Sequence, residues 1–317
     1  MMQDPKGLPA PIGVVYSTTM ARPDAALALA ALYVSTTRHD ARVDGICVSD
    51  AGLDTAIFCD IVGRFYLMQL RAPGSNSALP IGLPSATPLP PDPPFVGAVV
   101  KRTRADGQPQ YARSIERITD TALPEALLRN AVTFSAEAVV ILSAPATWLA
   151  RSVALAGTVA QYKQRVKRVV IVEAGGAGRD PAALAALVRA LPVPVVFCGR
   201  EIGDALMLPL AAIETGFTWS PASPVADAWH AAGARDVAAH DLAALHYALQ
   251  PDSGFFGLSG PGTLTAGADG AVAFKGDASG TVRRLTLNPA TRAACVAALV
   301  ALATSKPTPP QTGKTGG

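Results

Sequence analysis

Two places in this 317-residue chain carry residue types and spacing that could do chemistry. The first is Ser17-Thr18-Thr19 with Asp24, where an apolar run ends in small polar residues and a helix begins behind Pro23. In open α/β sheets such corners lie at the carboxyl ends of strands, where ligands bind. The second is the adjacent pair His240 and Asp241. With Ser17 these supply the three residue types of a nucleophilic triad. Strand-end polar residues and first-turn helix acids account for the same residues without catalysis, Asp24 and Asp241 then favouring a helix N-terminus electrostatically. Gly175-Gly176-Ala177-Gly178 follows a strand but lacks the G-x-G-x-x-G order and the P-loop lysine, so it reads as a turn. His39, His230 and His246 fall in helical or helix-end contexts and read as structural or exposed.

The elements that must position these residues alternate strand and helix. Apolar runs at 12–16, 43–48, 138–143, 169–173 and 193–198 are each followed by a helical pattern, with helices expected at 53–65, 123–135, 147–156 and 181–191. Continuous apolar strands of this kind mean a mostly parallel, doubly wound sheet flanked by helices on both faces. A Pro-rich passage at 80–94 holds a short strand candidate at 79–82. After Gly199 the pattern changes. Helices are expected at 202–209, 224–232 and 241–249, then a small hairpin over 262–275 around Ala-Asp-Gly, a strand at 281–287 and a closing helix at 289–303. The expected organisation is an N-terminal extension, 1–10, one α/β domain, 11–303, and a disordered tail, 304–317.

Half of the residues are hydrophobic and only 16% charged, so a large core is available, and the net charge of +3 is small. The basic groups at 101–104 and 163–168 are short and read as solvated faces, which excludes a nucleic-acid stripe. Cys47, Cys59, Cys198 and Cys295 have no zinc spacing and read as reduced core thiols of a cytoplasmic protein. No apolar signal core or membrane-length apolar run is visible, so no membrane association is expected.

Seven segments, taken together and in order, resemble the nucleoside hydrolases, the calcium-dependent N-ribohydrolases that prefer inosine and uridine. They are the corner Ser17–Leu29, VSDAGLDTAIFCDIVGRFY (Val48–Tyr66), SAPATWLARSVA (Ser143–Ala154), PVPVVFCGREIG (Pro192–Gly203), SPVADAW (Ser223–Trp229), HDLAALHYAL (His240–Leu249) and FFGLSGPGTLT (Phe255–Thr265). The resemblance spans about residues 11–303. It implies hydrolysis of the N-glycosidic bond of ribonucleosides to ribose and base, a Ca²⁺ at the carboxyl edge of the sheet, and a dimer or tetramer. Cleavage of that bond builds positive charge on the ribose, so carboxylates stabilise the transition state. Ca²⁺ needs six to eight oxygens and holds the attacking water.

Residue by residue, the resemblance weakens at the chemistry. Ser17 and Thr19 stand where a D-x-D pair is expected, Thr19 at the general-base position. Asp24 matches a ribose contact, but Ala25 replaces the next aspartate, a metal ligand. Gly52 stands where an Asn is expected, unless Asp50 takes that role. Thr147 matches the threonine whose carbonyl faces the metal, while Trp148 replaces the following Asn and would either fill the place of a sugar or stack on a base. A Glu-x-Asn loop is absent between Glu173 and Asp180. His240 and Asp241 match a late substrate-contact and metal-ligand pair. One clear carboxylate ligand makes at best a weak calcium site, and a threonine cannot serve as base near neutral pH. The expectation is therefore a nucleoside-hydrolase-like protein with calcium not bound and hydrolysis lost or weak, either binding a ribonucleoside or pairing with itself or a competent paralogue. The alternative is an active but altered riboside hydrolase using Asp24, His240 and Asp241.

Overall fold

The computed structural model describes residues 10–68, 79–84, 88–155, 157–220 and 222–308. The first α/β unit is strand β1 (Ile12–Thr18), helix α1 (Pro23–Thr37), β2 (Ala41–Val48), α2 (Leu53–Met68) and the short β3 (Ile81–Gly82). Next come α3 (Pro94–Val100), α4 (Pro124–Phe134), β4 (Ala138–Ser143), α5 (Thr147–Ala154), α6 (Thr158–Arg165), β5 (Val166–Val172), α7 (Pro181–Ala190) and β6 (Val195–Cys198). The C-terminal third holds α8 (Arg200–Ala205), β7 (Met207–Leu208), α9 (Leu210–Gly216), α10 (Pro224–Ala231), β8 (Val237–Ala238), α11 (His240–Leu249), β9 (Phe256–Ala266), β10 (Val272–Gly276), β11 (Val282–Leu287) and α12 (Arg292–Ala303).

Nine strands form one sheet in the order β10-β9-β11-β6-β5-β4-β1-β2-β3. Neighbours from β11 to β3 run parallel, and β9 runs antiparallel to both β10 and β11. The sheet is buried on both faces, and the side-chain period of two assigns alternate residues to opposite layers. Val14, Tyr16, Val139 and Ile141 join the layer of α1, α2, α10, α11 and α12. Val15, Val140 and Leu142 join the layer of α4, α5, α6 and α7. Helix α1 is buried along nearly its whole length, between the sheet and α2, α11 and α12, as its all-round Ala/Leu surface requires.

The chain leaves β1 toward β2 on one side and later toward β4 on the other, so the order reverses between β1 and β4. The carboxyl ends of those strands, where Thr18 pairs with Ser143, are the place for a site in such a sheet.

Three helices escape the sequence reading. Segments α3, α6 and α9 have seven or eight residues each, too few for periodicity to show. The helix expected at 202–209 stops at Ala205, because Met207 and Leu208 pair antiparallel with β8. The basic group at 163–168 divides between α6 and β5. Past α12 the chain stays on the body as far as Thr308, with the Thr304 carbonyl accepting from Trp219 Nε1 at 2.7 Å. The rest of the expected tail, and most of the expected N-terminal extension, lie outside the described residues. All four cysteines are buried and unbridged, and burial pushes their thiols up, Cys295 to about 11.

The Pro-rich passage is held from its far end by Asp92. Its carboxylate accepts from the N–H groups of Gly52 (2.9 Å), Asp54 (3.1 Å) and Thr55 (2.9 Å) and from the Thr55 hydroxyl (2.6 Å), capping α2 across about forty residues. Asp92→Ala is expected to cost about 1–2 kcal/mol, as loss of a helix cap does. A change under ~0.5 kcal/mol in a urea titration would show that the cap contributes nothing.

Candidate functional site: a carboxylate cup closed by Arg22

The side chain that decides the chemistry of the corner is Arg22. Beyond β1 the chain turns sharply: Thr18 Oγ1 accepts from Met20 N at 2.9 Å, Thr19 Oγ1 from Ala21 N at 3.2 Å, and Met20 takes the left-handed φ of 51°. Hydroxyl turns of this kind hold a tight bend locally. The bend aims Arg22 back over the strand ends. Its Nε donates to Asp24 Oδ1 at 3.1 Å, its Nη2 to Asp241 Oδ1 and its Nη1 to the Ala174 carbonyl.

Both carboxylates are buried, Asp24 at 0% and Asp241 at 1% exposure. Asp24 Oδ2 accepts from the Asp241 backbone N–H at 2.7 Å, joining the N-terminus of α1 to that of α11. Asp241 accepts from the Tyr16 hydroxyl at 2.5 Å and the Ser143 hydroxyl at 2.7 Å. Two helix N-termini therefore face two carboxylates and one guanidinium, all with hydrogen-bond partners. Ala174 reaches the cup because Gly175 packs directly on β4. A Cβ on Gly175 would lie 2.3 Å from the Ser143 carbonyl carbon.

Burial raises Asp24 to about 6, against Arg22, which pulls it down; the Asp241 charge adds to the rise. Burial disfavours the Arg22 charge, but Asp241 and Asp24 outweigh it and hold the guanidinium protonated. Burial and the Asp241 charge keep the Tyr16 phenol protonated. A carboxyl that holds its proton to about pH 6 when folded, and to its ordinary 3.8 when unfolded, binds more protons in the native state between those values. Its contribution to stability is thus largest below 3.8 and falls as pH rises through about 6. The wild-type melting temperature relative to that of Asp24→Asn should fall from pH 4 to pH 6.5. A flat or rising difference would show that Asp24 is ionised throughout.

Strand alternation separates Ser17 from this cluster. Tyr16 points to the Asp241 side, whereas the Ser17 hydroxyl accepts from Trp148 Nε1 at 3.0 Å on the opposite face. His240 is 5% exposed, packs against Gly203 and sets Nε2 3.3 Å from Asp204 Oδ1, and burial lowers its pKa. Ser17, His240 and Asp241 thus bond to different partners rather than to each other. Thr19 sits in the turn at 5% exposure, its hydroxyl used by the local bend. Thr147 opens α5 and donates to Asp180 Oδ2 at 2.8 Å, and Asp180 also caps α7. Asp50 lies at the rim with a φ of 53° and pairs with Arg179, a bridge across the strand ends.

Trp148 is 1% exposed and forms the floor of a cleft of ≈ 200 Å³ whose walls include Asp50, Pro84, Leu89, Thr147 and Arg151. That is below the roughly 300 Å³ at which pockets enclosing drug-sized ligands begin, so it has room for about one ring.

The cup brings together Asp24 and Asp241 from the sequence-predicted set; Thr19 stays in the local turn, His240 faces Asp204, Thr147 bonds Asp180, and Trp148 lies on the opposite face of the sheet. Sequence reasoning missed Arg22, Tyr16, Ser143 and the Ala174 carbonyl. One signal was present: Arg22 is the only charged residue between Ser17 and Pro23, two positions before the corner's only aspartate.

No family model matches the sequence, and no curated protein matches it either. The fold is that of the nucleoside hydrolases. The inosine-uridine preferring nucleoside hydrolase from Bacillus anthracis superposes with a TM-score of 0.64 over 92% of this chain and 99% of its own, at 12% identity. The purine-preferring ribonucleoside hydrolase from Gardnerella vaginalis gives 0.63 over 92% and 99%, at 13% identity. The type III effector protein XopQ, solved with adenosine diphosphate ribose, gives 0.56 over 94% of each chain at 15% identity.

The calcium that the resemblance implies does not fit the donor set as it stands. Among the described residues no three His, Cys, Asp or Glu side chains gather to hold a metal. The two carboxylates that converge are bonded to Arg22. At about 4 Å and an effective dielectric near 20, unit charges interact by about 4 kcal/mol, so a dication beside the guanidinium is opposed by about twice that. No helix among the described residues is long and apolar enough to cross a membrane.

Proposed function

We propose that this chain is a nucleoside-hydrolase-fold protein that has given up calcium-assisted N-glycosidic hydrolysis and acts by binding a small riboside or a partner chain. The observation that carries the reading is the salt-bridged closure of the cup. Arg22 bonds both Asp24 and Asp241, and Tyr16, Ser143 and the Asp241 N–H take up further carboxylate oxygen capacity. A hydrolase of this chemistry needs a free carboxylate near the ribose and a base for water. Thr19 offers no base, and Asp24 and Asp241 are already ion-paired.

The room for a ligand is the cleft over Trp148, where one sugar or base ring would lie against the indole and face Asp50 and Arg151. That the effector XopQ holds adenosine diphosphate ribose on the same fold supports a ribose-containing ligand. A cytoplasmic, homo-oligomeric protein or the silent subunit of a paralogous enzyme is consistent with the reading.

The test is ribose release from inosine, uridine and adenosine at millimolar Ca²⁺. The expected result is no release above the protein-free control. Turnover abolished by Asp241→Ala in a folded variant would overturn the reading and favour an altered riboside hydrolase.

A further inference from the structure

We infer that Arg22 is a built-in replacement for a metal ion: its guanidinium is the resident cation of the cup, and truncating it turns the same oxygens into a divalent-cation site. This deepens the reading above and rests on its view that the cup is closed by an internal cation.

The geometry carries the argument. Three oxygens from distant parts of the chain, Asp24 Oδ1, Asp241 Oδ1 and the Ala174 carbonyl, converge on one guanidinium. Two are anionic and one is a carbonyl, and hard cations are held by such oxygens. Among the described residues neither carboxylate has a positive partner other than Arg22. The surroundings keep the oxygens in place without it. Asp24 is fixed by the Asp241 N–H, Asp241 by Tyr16 and Ser143, and Ala174 by the close packing of Gly175 on Ser143. Arg22 is also the most exposed member of the ion-paired set, its side chain 23% accessible against 0% for Asp24 and 1% for Asp241. Its removal therefore opens a path from solvent to preset oxygens. A divalent cation with waters completing its shell neutralises the two carboxylates, which a neutral cup leaves buried and uncompensated.

Terbium is the probe, because Tyr16, bonded to Asp241, lies close enough to sensitise its emission. Wild type should give no saturable, calcium-displaceable emission in the submillimolar range. Arg22→Ala should give saturable emission, displaced by Ca²⁺ and at least tenfold tighter than any wild-type signal. Adding Asp241→Asn to Arg22→Ala should abolish it. Calcium should also raise the melting temperature of Arg22→Ala and leave that of wild type unchanged.

Tight calcium-displaceable binding by wild type would overturn the inference, as would a folded Arg22→Ala that stays silent or keeps its signal when Asp241→Asn is added. If Arg22→Ala does not fold alone, refolding with Ca²⁺ must restore it. Failure to do so, with Arg22→Gln folded and silent, would equally overturn the proposal. Ribose release by wild type bears on the functional reading alone, and the terbium result on Arg22→Ala bears on this one.

Discussion

Asp241→Ala destabilises the protein by about 3–5 kcal/mol, the cost of removing one partner from a buried ion pair. The carboxylate is the shared acceptor of Arg22, Tyr16 and Ser143, so its loss leaves three donors of the cup without it. The guanidinium is the costly one, because Asp24 alone then balances its charge. Against a typical total of about 5–15 kcal/mol, this loss takes roughly a fifth of the stability or more. Asp241→Asn keeps an acceptor for the hydroxyl groups and removes the charge, and should cost less than alanine. Guanidinium unfolding of the three proteins is the measurement. A loss below about 1 kcal/mol for Asp241→Ala would show that the pair is solvated and adds no more than a surface ion pair does.

Trp148→Ala should cost a comparable amount, about 3–5 kcal/mol, for a different reason. The indole is almost wholly buried in the layer of α4, α5, α6 and α7, and its truncation leaves a void that α5 cannot fill without leaving the sheet. Trp148→Phe retains most of the volume and loses only the bond to Ser17, so it should cost about 1–2 kcal/mol, the range for a lost hydrogen bond with some cavity. The same series tests the cleft. Alanine removes the floor of the ≈ 200 Å³ space and enlarges it, so any riboside bound there should change affinity by more than tenfold in Trp148→Ala, while Lys167→Ala, which breaks an exposed ion pair with Glu137 outside the cleft lining, leaves it unchanged. A Trp148→Ala loss under about 1 kcal/mol would mean that the ring is not packed as a core residue.

These results bear on one question, whether the cup is built for rigidity or for catalysis. Each carboxylate has its partners within the fold, and Trp148 anchors the neighbouring helix. A fully satisfied buried network of this kind adds rigidity to the strand ends.

Much of this was legible from residue order. Five apolar runs followed by helical patterns define a parallel sheet because strands buried on both faces need no polar alternation, and β1, β2, β4, β5 and β6 fall on those runs. The resemblance singled out Asp24 at the corner and Asp241 in the late His-Asp pair as expected site residues, with Thr19 where it implies a base. The short helices α3, α6 and α9 were not legible, since seven or eight residues give too little periodicity. What only the tertiary structure decided is the state of the carboxylates. Arg22 lies 219 positions from Asp241 and 152 from Ala174, and no local pattern says which way its side chain turns. That direction comes from the left-handed turn at Met20, from the approach of Gly175 to Ser143, and from the burial of two aspartates that leaves a cation the only partner able to offset their charge.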